Sequence, residues 1–226
     1  MKKYIPSIVT LLNLAAGFIA ILLNDPFWGP VLVVSGALFD LLDGMLAKAL
    51  HAVSETGKQL DSLADLVTFG LAPAYLYYQH VLPHTVLSVI SASVLPVFGS
   101  LRLARFNVKQ SGNRYFNGLP IPANGLFFIS FPLLLNLDNA GWIGTITGNQ
   151  VIIIILPLLF GLLMISNLKM FSFKLSNLCF KQNVYQYLLI ILSVIAILIF
   201  KWKASVIIIP VYIGLSVLYH FRYRTI

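Results

Sequence analysis

The chain has 226 residues, 59% of them hydrophobic and only 10% charged, with a mean hydropathy of +0.90. Ordinary soluble domains carry about a quarter charged residues, so these numbers exclude a soluble globular domain and leave a membrane protein. The net charge of +8 is scattered between apolar runs and not gathered in a stripe. That distribution excludes a nucleic-acid footprint and fits cations that orient spans and meet anionic headgroups.

Eight apolar runs reach the roughly 20 residues needed to cross a bilayer. They lie near 6–24, 28–48, 59–79, 85–107, 119–137, 150–167, 184–200 and 204–221. The first run follows Met1-Lys2-Lys3 as a secretory signal would. It continues from Ile5 to Leu23, beyond a typical apolar core of about 7–15 residues, and reads as a first transmembrane helix. Short connections make neighbouring helices antiparallel. The longer connections, around 108–118 and 168–183, are basic.

With the N-terminus in the cytoplasm, that side receives Lys2, Lys3, Lys48, Lys58, Arg102, Arg105, Lys109, Arg114, Lys169, Lys174, Lys181, Arg222 and Arg224. The opposite side receives only Lys201 and Lys203, which flank Trp202 in a tight interfacial turn. The bias predicts both termini in the cytoplasm. Lys169 to Lys174 mixes aromatics with lysines and is expected along the cytoplasmic interface. The single cysteine, Cys179, allows no intrachain disulfide. The expected architecture is an all-α, polytopic integral membrane helix bundle of about eight transmembrane helices, forming a single membrane domain over 1–226.

Five of the seven acidic residues fall within 26 positions: Asp40, Asp43, Glu55, Asp61 and Asp65. A carboxylate in a membrane helix costs about 2.5–3.5 kcal/mol on insertion scales, and several together repel unless a cation neutralises them. Asp40 and Asp43 are spaced i, i+3 at the end of the second run. Asp61 and Asp65 are spaced i, i+4 in the third. Each pair shares a helical face, and the short connection lets the two faces converge. Oxygen-only ligands suit Mg²⁺ or Mn²⁺, with Ca²⁺ a further option, and do not suit zinc. Four carboxylates can hold two such ions, an arrangement that clamps a phosphate or pyrophosphate. Gly44, Ala47 and Gly57 lie one turn from the acids and open a slot beside them. Gly17, Gly36 and Ala37 have the plainer reading of close helix packing. Lys48 is the one base on the same helix as the first acid pair. His51, His80, His84 and His220 sit at helix ends without ligand spacing. Glu55 belongs to a solvated loop, within reach of a bound ion.

The figure Asp40-x2-Asp43-Gly44-x2-Ala47-Lys48-x8-Gly57-x3-Asp61-x3-Asp65 resembles the signature of the CDP-alcohol phosphatidyltransferase family. Every spacing agrees. The one departure is Lys48, where the family usually has arginine, so the charge is kept and the planar fork is lost. The resemblance implies transfer of a phosphatidyl group from CDP-diacylglycerol to an alcohol, with release of CMP. It implies that Asp40, Asp43, Asp61 and Asp65 form a two-metal site, with Asp65 also the general base. It further implies that Gly44, Ala47 and Gly57 border the cytidine, with Asp43 and Lys48 near the nucleotide. A homodimer is also implied.

The stretch from Leu60 to Ala74, Asn13-x3-Gly17-Phe18, Arg102-Leu103-Ala104-Arg105-Phe106-Asn107 and Gly118-Leu119-Pro120-Ile121-Pro122 resemble the branch of that family that uses L-serine. This likeness runs from about residue 10 to residue 175. The two spans within 176–226 carry no readable motif and are expected as additional C-terminal helices. Serine presents a carboxylate that needs a cation. Arg102 and Arg105, spaced i, i+3, are candidates, and both also fit as orienting anchors. Asn107 fits either a substrate contact or a helix cap. Asn13 fits either an interhelical hydrogen bond or a lipid-head contact. Pro120 and Pro122 mark the start of the fifth span. Other acceptors, glycerol 3-phosphate or an inositol derivative, are the alternative within the family. A cation transporter is the alternative outside it. The enzyme reading makes this an integral membrane protein, of the cell membrane if the source is prokaryotic, with its active site at the cytoplasmic face.

Overall fold

The computed structural model describes residues 4–108, 115–137, 142–171 and 183–222. Lys2, Lys3, Lys109, Arg114, Lys174, Cys179, Lys181 and Arg224 lie outside them, as does the end of the aromatic–lysine stretch, residues 172–174.

The first helix, α1 (Ile5–Leu23), carries Pro6 in its opening turn, where no helical N–H is lost. It ends at Asn24, in the left-handed region at φ 46°. Asp25 then starts the next helix, its Oδ1 accepting from the N–H of Trp28 at 2.7 Å and of Phe27 at 2.9 Å. Those two donors hold the Asp25 carboxyl below the usual carboxylate range. Helix α2 (Trp28–Ala49) brings the first acid pair to its C-terminal half. A short turn follows, containing His51 at φ 50°.

Helix α3 (Glu55–Asp65) is capped by Ser54, whose Oγ accepts from Gly57 N at 3.0 Å. It runs without a break through a π-helical stretch, Leu66–Leu71, into α4 (Ala72–His80). The third apolar run is therefore a single rod with one widened turn. Such turns recur at functional sites, and this one begins directly after Asp65. Thr68, Phe69 and Gly70 of the widened turn are buried.

Helix α5 (Val86–Val108) leads to strand β1 (Tyr115–Asn117), then α6 (Ile121–Leu137), the short α7 (Trp142–Gly148) and α8 (Gln150–Ile165). Strand β2 (Lys169–Phe171) pairs antiparallel with β1, Phe116 opposite Met170. This two-stranded ribbon was not expected from apolar periodicity. Gly118 makes the turn out of β1 at φ 76°, with Met164 O only 2.2 Å from where a Cβ would stand. Only glycine fits there. Helix α9 (Val184–Phe200) turns through a single 3₁₀ turn, Lys201–Lys203, into α10 (Ala204–Arg222).

The fold is an all-α, polytopic membrane helix bundle. Helices α1, α2, α5 and α10 are each long and apolar enough to cross a membrane, and α6, α8 and α9 are shorter apolar helices. Each of the eight apolar runs is helical. Leucine and isoleucine side chains line the outer faces, as on Leu22, Leu38, Leu198 and Ile199. The interior is aromatic. Phe127 stacks on Phe160 at 4.2 Å, while Tyr77 meets Phe128 and Phe131 edge-on and donates to Ile153 O at 3.0 Å. Val206, Ile209, Tyr212 and Leu215 of α10 belong to this same buried cluster. The last helix is thus packed into the bundle.

One end of the bundle gathers the functional candidates. Asn107, near the end of α5, donates to Gln59 Oε1 and Ser62 Oγ of α3 at 3.3 and 2.9 Å. Arg105 donates to Ile165 O, the end of α8, at 3.3 Å. At the end of α10, His220 Nδ1 accepts from Lys169 N at 3.1 Å.

Candidate active site

Three helices build the centre of the site. A Cβ on Gly17 of α1 would stand 2.5 Å from Thr68 Oγ1, and a Cβ on Gly36 of α2 would stand 2.5 Å from Thr68 Cγ2. No real side chain tolerates either distance, so α1, α2 and the widened turn approach as closely as backbones allow. Thr68 seals the junction by donating to Asn13 O at 2.8 Å.

That approach brings the acids together. One carboxylate oxygen from each of Asp40, Asp61 and Asp65 lies within 4.8 Å of the others. Asp65 is buried, Asp40 and Asp61 partly so. Asn13 Nδ2 donates to Asp65 Oδ1 at 3.3 Å, which selects the interhelical hydrogen bond for that residue. Asp43 stands outside the group of three. It is buried, and its Oδ2 accepts from the Thr10 hydroxyl at 2.5 Å, with Pro6 O a second acceptor for that hydroxyl at 3.0 Å.

Two like charges about 5 Å apart repel by roughly 3 kcal/mol at an effective dielectric of about 20. A hydrogen bond to a charged group returns only about 1.5–3 kcal/mol. Three ionised carboxylates in this space therefore need a cation. Asp61 Oδ1 is buried and has no hydrogen-bond partner among the described residues. An orphaned carboxylate oxygen inside an all-oxygen cluster fits a hard divalent ion. The donor set thus could hold such a metal, and it contains no histidine.

Beside the acids, Gly44 is exposed, with no atom within 4 Å of where its Cβ would be. Ala47 is half-buried and Lys48 exposed in the last turn of α2. Gly57 is half-buried against Ser54 Oγ, so its smallness also serves the helix cap. Glu55 pairs with Lys58 at 2.9 Å in solvent, a contact worth little to stability.

Arg102 and Arg105 part company. Arg102 is 9% exposed, with Nε lacking a partner among the described residues. Arg105 is exposed and holds the end of α8. Asn107, also exposed, ties α5 to α3 one residue from Asp61, through Ser62.

Residues 3–165 match the family described as CDP-alcohol phosphatidyltransferase. The chain belongs to that family. It is 41% identical over 161 residues to the CDP-diacylglycerol–serine O-phosphatidyltransferase of Methanocaldococcus jannaschii, covering 71% of this chain and 70% of that protein. It is 41% identical over 150 residues to the protein of the same name from Bacillus subtilis, covering 62% of this chain and 84% of the relative. It is 35% identical over 134 residues to the archaetidylserine synthase of Methanothermobacter thermautotrophicus, covering 57% and 58%. The family match contains all four aspartates, Gly44, Ala47, Lys48, Gly57, Arg102, Arg105 and Asn107.

Sequence reasoning missed Thr10 and Thr68. Thr10 was within reach, because it lies i−3 from Asn13 and shares its helical face. Thr68 follows Asp65 by three residues on the same rod.

Proposed function

We propose that this chain is a CDP-diacylglycerol–serine O-phosphatidyltransferase, working at the cytoplasmic face of the membrane with two divalent ions. The convergence of Asp40, Asp61 and Asp65 beside the open flank at Gly44 carries the reading. The relatives named CDP-diacylglycerol–serine O-phosphatidyltransferase support it.

Asp40, Asp61 and Asp65, with Asp43 on their border, would hold the metal. When bound, divalent cations supply positive charge that neutralises a pyrophosphate and the oxygens of the reacting phosphorus. Gly44 and Ala47 leave room for the cytidine, and Lys48 and Asp43 flank it. Asp65 takes the proton of the serine hydroxyl, oriented for this by the Asn13 amide. The serine oxygen then bonds to the β-phosphorus, the bond between that phosphorus and the bridging oxygen breaks, and CMP departs with the electron pair. Arg102 meets the serine carboxylate. Arg105 and Asn107 border the same opening while bracing α8 and α3. A homodimer is the assembly this reading expects.

The acids gather at one end of the bundle, where a soluble nucleotide and a free amino acid can enter. A cation path would need acids spread through the membrane depth. The deciding experiment is an acceptor swap with labelled CDP-diacylglycerol. CMP release should require L-serine and a divalent metal. Equal or faster turnover with glycerol 3-phosphate or an inositol derivative would overturn the acceptor.

A further inference from the structure

Thr68 touches none of the reacting groups, yet its hydroxyl is tied to the residue that touches Asp65. It is fully buried in the widened turn, and its Oγ1 donates to Asn13 O of α1 at 2.8 Å. Asn13, also fully buried, donates from Nδ2 to Asp65 Oδ1 at 3.3 Å. The other end of that amide is unheld: Asn13 Oδ1 is buried and has no hydrogen-bond partner among the described residues. An amide held at one end only, by a bond near the long limit, turns freely unless its surroundings fix it. Two contacts fix it here. Asn13 Oδ1 and Thr68 Cγ2 share the space before Gly36, 2.8 and 2.5 Å from where a Cβ would stand. The backbone from which the amide hangs is pinned by the Thr68 hydroxyl.

The turn that presents Thr68 is itself clamped. Thr68 Cα lies 2.6 Å from where a Cβ on Gly17 of α1 would stand. On another side, Phe69 O and Cα lie 2.8 and 2.9 Å from where a Cβ on Gly125 of α6 would stand. Backbones from two other helices thus press on consecutive residues of the turn, and close-packed neighbours leave it no room to slide. Loss of the Thr68 hydroxyl is therefore felt at Asn13 and not in the turn.

We propose that Thr68 is a positioning residue for the reaction: its hydroxyl fixes the Asn13 backbone so that the Asn13 amide meets the Asp65 carboxyl. One rod then carries both the proton acceptor and the group that sets that acceptor's partner in place. This inference rests on the reading of Asp65 as the general base, and the experiment separates the two.

Full-length enzyme in detergent, with CDP-diacylglycerol and Mn²⁺, is assayed for CMP release as L-serine is varied and then as the lipid is varied. Its thermal midpoint is measured separately. Thr68→Ser keeps the donor and removes the methyl, whereas Thr68→Ala removes both. Thr68→Ala should lower kcat by about fivefold to tenfold, the loss expected when a neutral hydrogen bond is felt in the transition state, and leave both KM values within about twofold. Thr68→Ser should hold kcat within about twofold of the parent, although its midpoint falls as well, since both variants empty the space before Gly36. A kcat that instead falls in step with the midpoint across the two variants marks a packing role and overturns the proposal. Added to Asn13→Ala, Thr68→Ala should lower kcat by less than about twofold further, because its route to Asp65 is already cut. Losses that multiply in full overturn the proposal. If Thr68→Ala does not fold, Thr68→Val takes its place, filling the same volume without a donor, and a kcat within about twofold of the parent overturns the proposal. Turnover that survives in Asp65→Asn removes the general-base reading, and this inference falls with it. Turnover lost in Asp65→Asn but unchanged in Thr68→Ala removes the positioning role alone.

Discussion

The Asn13 amide of α1 donates to the Asp65 carboxylate of α3, Nδ2 to Oδ1 at 3.3 Å, with both side chains buried. It is the direct hydrogen bond from a neutral side chain to the residue proposed as general base. Breaking a buried hydrogen bond to a charged group costs about 1.5–3 kcal/mol, which corresponds to roughly a tenfold to hundredfold change in rate if it is felt in the transition state. Asn13→Ala should lower kcat by about that factor with a smaller change in KM for CDP-diacylglycerol. Asp65→Asn should abolish turnover while sparing lipid binding. An Asn13→Ala enzyme with kcat within twofold of the parent would show that Asp65 does not depend on this contact.

The glycines divide by what stands in front of them. Gly36→Ala drives a methyl into Thr68 Cγ2 and Asn13 Oδ1, at 2.5 and 2.8 Å. It should destabilise the protein by about 1–3 kcal/mol, the usual range for overpacking, read as a lowered thermal midpoint. Gly44→Ala meets nothing within 4 Å and should leave that midpoint unchanged. It should instead raise KM for CDP-diacylglycerol, because the methyl enters space proposed for the nucleotide. Equal loss of stability in the two variants would remove Gly44 from the slot.

Chelation tests the acid cluster without reference to turnover. A ligand that binds only the folded protein at a hundredfold excess over Kd stabilises it by about 2.7 kcal/mol. Adding Mn²⁺ to EDTA-treated protein should therefore raise its thermal midpoint by several degrees and restore CMP release. Asp61→Asn, which replaces the carboxylate whose Oδ1 lacks a partner among the described residues, should blunt that rise. A midpoint indifferent to Mn²⁺ and Mg²⁺ would mean that the cluster does not bind them.

Lys48 stands exposed at the end of α2, with room for a larger head group. Lys48→Arg restores the residue usual in the family and supplies a fork suited to phosphate. Activity should be equal or higher, with KM for CDP-diacylglycerol equal or lower. A loss of tenfold or more would show that the nucleotide end of this site has been rebuilt around lysine.

Much of the bundle was legible because membrane helices announce themselves locally. Runs of about 20 apolar residues are forced by bilayer thickness, and each of the eight runs is a helix here. The pairing of Asp40 with Asp61 and Asp65 was legible for a similar reason: i, i+3 and i, i+4 spacings place side chains on one face, and a short connection can only fold the two helices back on each other. The ribbon of β1 and β2 was hidden, because three-residue strands leave no periodicity to read. The widened turn after Asp65 was hidden too, since nothing in Leu66 to Leu71 forbids an ordinary α-helix.

Spacing alone grouped four aspartates as equals, and only the packed bundle distinguished them. Asp43 turns to Thr10 of α1, while Gly17 of α1 and Gly36 of α2 both close on Thr68 of the widened turn. Tyr212 of α10 meets Phe171 O of β2 from 41 positions away in the chain, a contact that no local pattern announces. Local order along the chain dictates helices, their length and their acidic faces. Which face meets which neighbour is settled by close packing among distant segments, and that is the level at which this site acquires its asymmetry.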